Sequence, residues 1–81
     1  MTARLVLYGR SYCHLCEDMA AALRELAPQL DFSLESVDLD ATPALESRYG
    51  ELIPVLTDAQ GREICHYFLD IDALKARLAV K

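Results

Sequence analysis

The chain is 81 residues long and 53% hydrophobic, which is enough for a single domain over residues 1–81 with one core and too little for two. Eight basic residues against thirteen acidic ones leave a formal net charge of −5, so the average surface repels phosphate backbones and anionic lipid; neither nucleic acid nor a membrane is an expected partner. Three cysteines is an odd number, which speaks against the fully paired framework of a small secreted domain.

In chain order, Met1-Thr2-Ala3-Arg4 leads straight into a short apolar run that is neither a signal-peptide core nor a membrane span, and a soluble cytoplasmic protein is expected. Arg4 to Tyr8 reads as a buried strand ended by Gly9-Arg10-Ser11. From Cys13 to Ala27 the apolar residues Leu15, Met19, Ala22, Leu23 and Leu26 recur at three and four, a helix with one apolar face; Ser11 is its candidate cap and Pro28 its stop. Phe32 to Asp38 alternates as a strand. Thr42-Pro43 starts a second helix that Tyr49-Gly50 ends. Ile53 to Thr57, the turn Asp58-Ala59-Gln60-Gly61 and Arg62 to Phe68 form a hairpin. Asp70 caps a last helix in which Ile71, Leu74 and Leu78 share a face, and Lys75, Arg77 and Lys81 favour its negative end.

The order is therefore β-α-β-α-β-β-α. A strand-helix-strand opening makes a parallel pair through a right-handed crossover, and the hairpin adds antiparallel strands, so an α/β fold with a mixed four-stranded sheet flanked by helices is expected. Cys13 and Cys16, in the stretch "GRSYCHLCEDM", then fall where the first strand meets the first helix. Unpaired backbone N–H groups and the positive helix end favour a thiolate over a thiol at that tip, and the thiolate is the nucleophile. Cys13 gains most, with Arg10 and a protonated His14 able to add to it. Cys16, one turn further in, is placed to attack a mixed disulfide on Cys13.

From "LVLYGRSYCHLC" through "VDLD" and "SRYGELIPVL" to the last helix, the chain resembles the thioredoxin superfamily, and within it a small glutaredoxin-like branch. The resemblance implies a thioredoxin-like fold and a thiol-disulfide oxidoreductase in cell redox homeostasis, with Cys13 attacking and Cys16 resolving. It also implies no tightly bound cofactor, glutathione as a co-substrate, a disulfide-containing protein or low-molecular-weight thiol as substrate, a cellular reductant to restore the dithiol, and a monomer. Arg10 stands three residues before Cys13, where glutaredoxins often place a Lys that meets a glutathione carboxylate. Ile53-Pro54 matches the dipeptide whose cis proline faces the cysteines and whose preceding backbone pairs with substrate. Two stretches depart from the pattern. Cys13-His14-Leu15-Cys16 is neither C-P-Y-C nor C-G-P-C, and Tyr67-Phe68-Leu69-Asp70 replaces a Gly-Gly-x-Asp stretch in which backbone approaches glutathione. Asp70 is then a candidate substrate contact as well as a helix cap.

Other readings stay open. Thiolates at this spacing suit Cu(I) or Zn, and a closed zinc site would need Cys65 and His66 beside the helix tip. A cluster-binding module and a non-catalytic adaptor with inert thiols are the remaining alternatives. Cys65 reads as a packing residue of the fourth strand. Tyr12 and Tyr49 either line the site or close the rim of the core.

Overall fold

A computed structural model of the chain describes residues 2–79. Strand β1 (Ala3–Gly9) is followed by helix α1 (His14–Leu30), strand β2 (Phe32–Asp38), 3-10 turns at Leu39–Ala41 and Pro43–Leu45, and a one-turn helix α2 (Glu46–Tyr49). Strands β3 (Val55–Asp58) and β4 (Glu63–His66) and helix α3 (Ile71–Ala79) complete it. The sheet order is β2-β1-β3-β4, with β1 parallel to β2 and antiparallel to β3, and β3 antiparallel to β4. The element order and the mixed sheet are those read from the sequence.

Side-chain alternation gives the sheet two covered faces. Leu5 and Leu7 of β1, Leu56 of β3 and Cys65 of β4 point to one face, where Met19, Ala20 and Leu23 of α1 and Leu74 of α3 close over them. Tyr8 and Val55 point to the other, against Leu39, Leu45 and Tyr49. Leu23, Leu56, Leu74 and Val55 are fully buried, and each such side chain contributes about 1.5–3 kcal/mol by leaving water. Phe32 is the buried end of β2, and the strand then rises to the exposed Glu35 and Ser36 as it becomes the sheet edge.

Helix boundaries differ from the sequence reading at three points, and the strand expected from Arg62 to Phe68 is confined to Glu63–His66, because Tyr67 turns to φ 64°. Ser11 does not cap α1; Cys13 does. Pro28 does not stop α1, because its fixed φ is helical and it forfeits only one bond, to Arg24, on the exposed side. The helix closes at Asp31, whose left-handed φ of 58° lets its N–H donate to the Ala27 carbonyl. The second helix shrinks to a 3-10 turn with Pro43 at its first position plus the single turn Glu46–Tyr49. In α3, Leu74 is buried and Leu78 packs beside it, whereas Ile71 is exposed. The expectation for Lys81 lies outside the described residues. Among the described residues no helix is long and apolar enough to cross a membrane.

Candidate functional site

The register of the sheet assembles the site. Tyr8 pairs with Val55, so Gly9 at the end of β1 stands beside Pro54 at the approach to β3. The carbonyl of Pro54 in turn accepts the N–H of Tyr67, just beyond β4, at 2.9 Å. Gly9, Pro54 and Tyr67 thus run in a row across one end of the sheet. The Cys16 thiol lies against Gly9 so closely that a Cβ there would stand 2.8 Å from its sulfur. The Ile53–Pro54 bond is cis, as the resemblance implied, with Pro54 buried and Ile53 half-buried.

The two thiols are unequal. Cys13 takes an extended backbone (φ −106°, ψ 113°) as the N-cap of α1, and its sulfur accepts the Cys16 N–H at 3.2 Å. One of the four unpaired amides at the helix start is therefore aimed at that sulfur, as it would be at a Ser or Asp oxygen. The loop is fixed behind it, because the Cys13 N–H donates to the Arg10 carbonyl at 3.3 Å and the Glu17 N–H to the Cys13 carbonyl at 3.0 Å. Cys13 is half-buried and Cys16 is 6% exposed; both are free thiols. Burial pushes the Cys16 thiol up to about 11, and its hydrogen bond to the Cys13 sulfur adds to this, against a smaller opposing pull from the Arg10 amide and charge. At neutral pH Cys16 is a protonated donor beside Cys13.

The remaining sequence-named residues divide. Arg10 lies next to the thiols, but its guanidinium is bound by Asp40 at 2.7 Å and by both oxygens of Glu46. That clamp ties the cysteine loop to the 3-10 turn and α2 beneath it. His14 is exposed on the first turn of α1. Tyr12 is exposed beside Cys13, whereas Tyr49 is buried and stacks on Tyr8 with centroids 4.1 Å apart, so it belongs to the core. The Asp70 carboxylate caps α3, accepting the Ala73 N–H at 3.0 Å. Tyr67 adopts φ 64°, a conformation glycine supplies more readily, and its hydroxyl donates to the Glu51 carbonyl at 3.0 Å.

Sequence reasoning overlooked three contributors: Gly9, read only as the end of a strand, and the carboxylates of Asp40 and Glu46. The signal for Gly9 was its position as the last strand residue before a helix whose first turn must pack back on it. A cavity of about 310 Å³ reaches Cys16 from the β2 side, lined by Gly9, Arg10, Ser11, Glu17 and Arg24 among others. Cys65 stays apart, on β4 with β3 between it and β1, and burial raises its thiol as well. Among the described residues no three His, Cys, Asp or Glu side chains cluster as a metal-ligand set, so Cys65 and His66 do not complete a site with the pair.

Comparison with known proteins finds a matching family model and chains of similar fold. The family model of the Glutaredoxin-like domain (DUF836) matches residues 4–79. An uncharacterised protein of Mycobacterium tuberculosis is 31% identical over 78 residues, covering 90% of this chain and 79% of its own. A solution NMR structure of a protein from Nitrosomonas europaea is 42% identical, with a TM-score of 0.86 over 98% of this chain and 94% of that one. A thioredoxin variant from Halobacterium salinarum is 29% identical, with a TM-score of 0.67 over 94% of this chain and 71% of that one.

Proposed function

The chain belongs to the glutaredoxin-like (DUF836) family and has a thioredoxin-like fold, and from that membership together with the unequal thiols we propose that it is a thiol-disulfide oxidoreductase. The observation that carries the reading is the Cys13 sulfur, which caps α1 and accepts the Cys16 N–H. Negative charge on that sulfur is met by a backbone donor and by the helix end, and a protonated Cys16 lies beside it. Cys13 attacks one sulfur of a disulfide, the S–S bond breaks, and the other sulfur leaves as a thiol after taking a proton. Cys16 then gives up its proton and attacks the Cys13 sulfur, which releases the second substrate thiol and leaves Cys13–Cys16 oxidised. Arg10, clamped by Asp40 and Glu46, holds the loop on which Cys13 sits. Ile53, ahead of Pro54, offers backbone groups to an incoming chain, with Tyr12 and His14 beside the attacking sulfur.

A second thiol source must return the two electrons, and in a reducing cytoplasm low-molecular-weight thiols such as glutathione are the candidates. The test is turnover of bis(2-hydroxyethyl) disulfide with a coupled reductant. Wild type is expected to turn over and Cys13→Ser to be inactive. Cys16→Ser is expected to stop at a mixed disulfide on Cys13, unless glutathione releases it, which would identify a single-cysteine route. Turnover undiminished in Cys13→Ser would overturn the assignment.

A further inference from the structure

The large apolar side chains that stand exposed among the described residues are Tyr12, Leu15, Tyr67, Phe68 and Ile71. All belong to one end of the molecule. Tyr12 and Leu15 flank Cys13, Tyr67 and Phe68 follow β4, and Ile71 opens α3, whereas the Asp58–Gly61 turn at the opposite end exposes none. Phe68 is 70% and Tyr12 74% exposed, and apolar exposure gathered at one place marks an interaction surface more than scattered exposure does. The display of Phe68 is built into the backbone. Tyr67 holds φ 64° while the Phe68 N–H reaches back to the His66 carbonyl at 2.7 Å. A bulky residue holds that conformation only where its surroundings enforce it.

The charge around these side chains is negative. Glu17, Asp18, Glu51, Asp70 and Asp72 make no ion pair among the described residues, while Arg10, beside the thiols, is bound by Asp40 and Glu46, and Arg48 lies over the Tyr49 ring. The N-terminus of α3, where an anion would otherwise be drawn, is filled by the Asp70 carboxylate. An open groove of about 590 Å³ between β4 and α3 is lined by Phe68, Leu69 and Ile71 together with Asp70 and Asp72, and by Cys65 and His66, whose ring is held by Glu63 at 2.6 Å. A Lys or Arg side chain fits such a lining, its methylene stem against the apolar residues and its charge at the carboxylates.

We propose that this end of the molecule docks an extended protein segment whose half-cystine is flanked by apolar and basic residues, so that the preferred substrate is a protein disulfide of that kind and not an anionic small disulfide. The proposal rests on the oxidoreductase reading above and specifies its substrate. Apolar residues of the segment cover Tyr12 and Phe68, and basic ones face Asp70 and Asp72. Cys13 attacks the segment's disulfide, and two electrons pass from the Cys13–Cys16 dithiol to the segment, which leaves as two thiols. Glutathione disulfide carries net negative charge and no large apolar side chain, so it gains nothing from Phe68 and is repelled by the carboxylates.

The test compares rates of oxidation of the reduced protein by four disulfides: bis(2-hydroxyethyl) disulfide, glutathione disulfide, and two synthetic disulfide peptides of equal length. One peptide has Leu and Lys around its half-cystines, the other Ser and Glu. The Leu/Lys peptide is expected to react about tenfold faster than the Ser/Glu peptide and than glutathione disulfide, with the advantage shrinking as salt is added. Phe68→Ser, at an exposed position, is expected to lower the rate ratio of the Leu/Lys peptide to bis(2-hydroxyethyl) disulfide by about fivefold. Equal peptide rates, or glutathione disulfide reacting fastest, would overturn the docking surface while leaving the oxidoreductase intact. Failure to react with bis(2-hydroxyethyl) disulfide would overturn the oxidoreductase reading and the surface with it.

Discussion

Gly9 and Cys16 share a space that admits one side chain. A Cβ on Gly9 would stand 2.8 Å from the Cys16 sulfur and 3.0 Å from its Cβ, so Gly9→Ala must move the resolving thiol. Because displacement of a reacting group by a fraction of an ångström is costly in rate, resolution is expected to slow by about tenfold. Stopped reactions should then show a mixed disulfide on Cys13 accumulating; unchanged resolution would mean that the packing is not what positions Cys16. The same thiol carries a pH dependence. Its proton is held more tightly in the folded chain, at about 11 against an ordinary value of 9.0. Stability is therefore full below about pH 9 and falls between about pH 9 and 11, where only the unfolded chain ionises, by at most about 1.4 kcal/mol per pH unit from this group. Cys65, raised in the same direction by burial, adds to the decline. Denaturant unfolding at about pH 8 and about pH 10 should show it, more shallowly in Cys16→Ala. At this scale the sequence exposed the thiols, since their residue type announces its chemistry, and Pro54 through the family resemblance alone. Gly9 was hidden because a glycine at a strand end is also ordinary punctuation, and only its neighbour in space tells the two apart.

The Asp58 carboxylate helps join the hairpin to the last helix, where Arg77 also donates to the Arg62 and Glu63 carbonyls. Asp58 accepts the amides of Gln60 and Arg62 at 2.9 Å each, and its second oxygen meets Arg77 of α3 at 2.7 Å. Desolvation works to raise this carboxyl, but the Arg62 and Gln60 amides, aided by Arg62 and Arg77, outweigh it and hold it below the usual carboxylate range. Its contribution is thus present above the ordinary Asp value and lost as pH falls through the lower folded one. Asp58→Asn is expected to cost about 2 kcal/mol, read as a lower denaturation midpoint with an unchanged slope. Arg77 could be read in the sequence only as a charge near a helix end; its role as a strap between β3 and α3 needed the tertiary structure. Elements with periodicity over several turns or strict alternation were legible: α1, the hairpin, and β1 with β2. The helix expected from Thr42 was not, because α2 is a single turn. It is held by tertiary contacts, with Tyr49 stacked on Tyr8 and Glu46 bound to Arg10, and local propensity contributes little at that length.

Over the whole molecule, element order was enough to anticipate a parallel pair followed by a hairpin, because crossover handedness and short connections leave few alternatives. The asymmetry of the surface was not anticipated. Tyr12 is far in the chain from Phe68 and Ile71, and only the sheet register places them at one end with the thiols. That end holds an unequal thiol pair, the cis Pro54 beside Gly9, and an apolar, acidic collar. The most direct measurement oxidises the reduced protein with one equivalent of bis(2-hydroxyethyl) disulfide and locates the product bond by peptide mass mapping. The expected product is a Cys13–Cys16 disulfide with Cys65 still a thiol. A bond that includes Cys65, or a protein that keeps all three thiols while the disulfide persists, would contradict it.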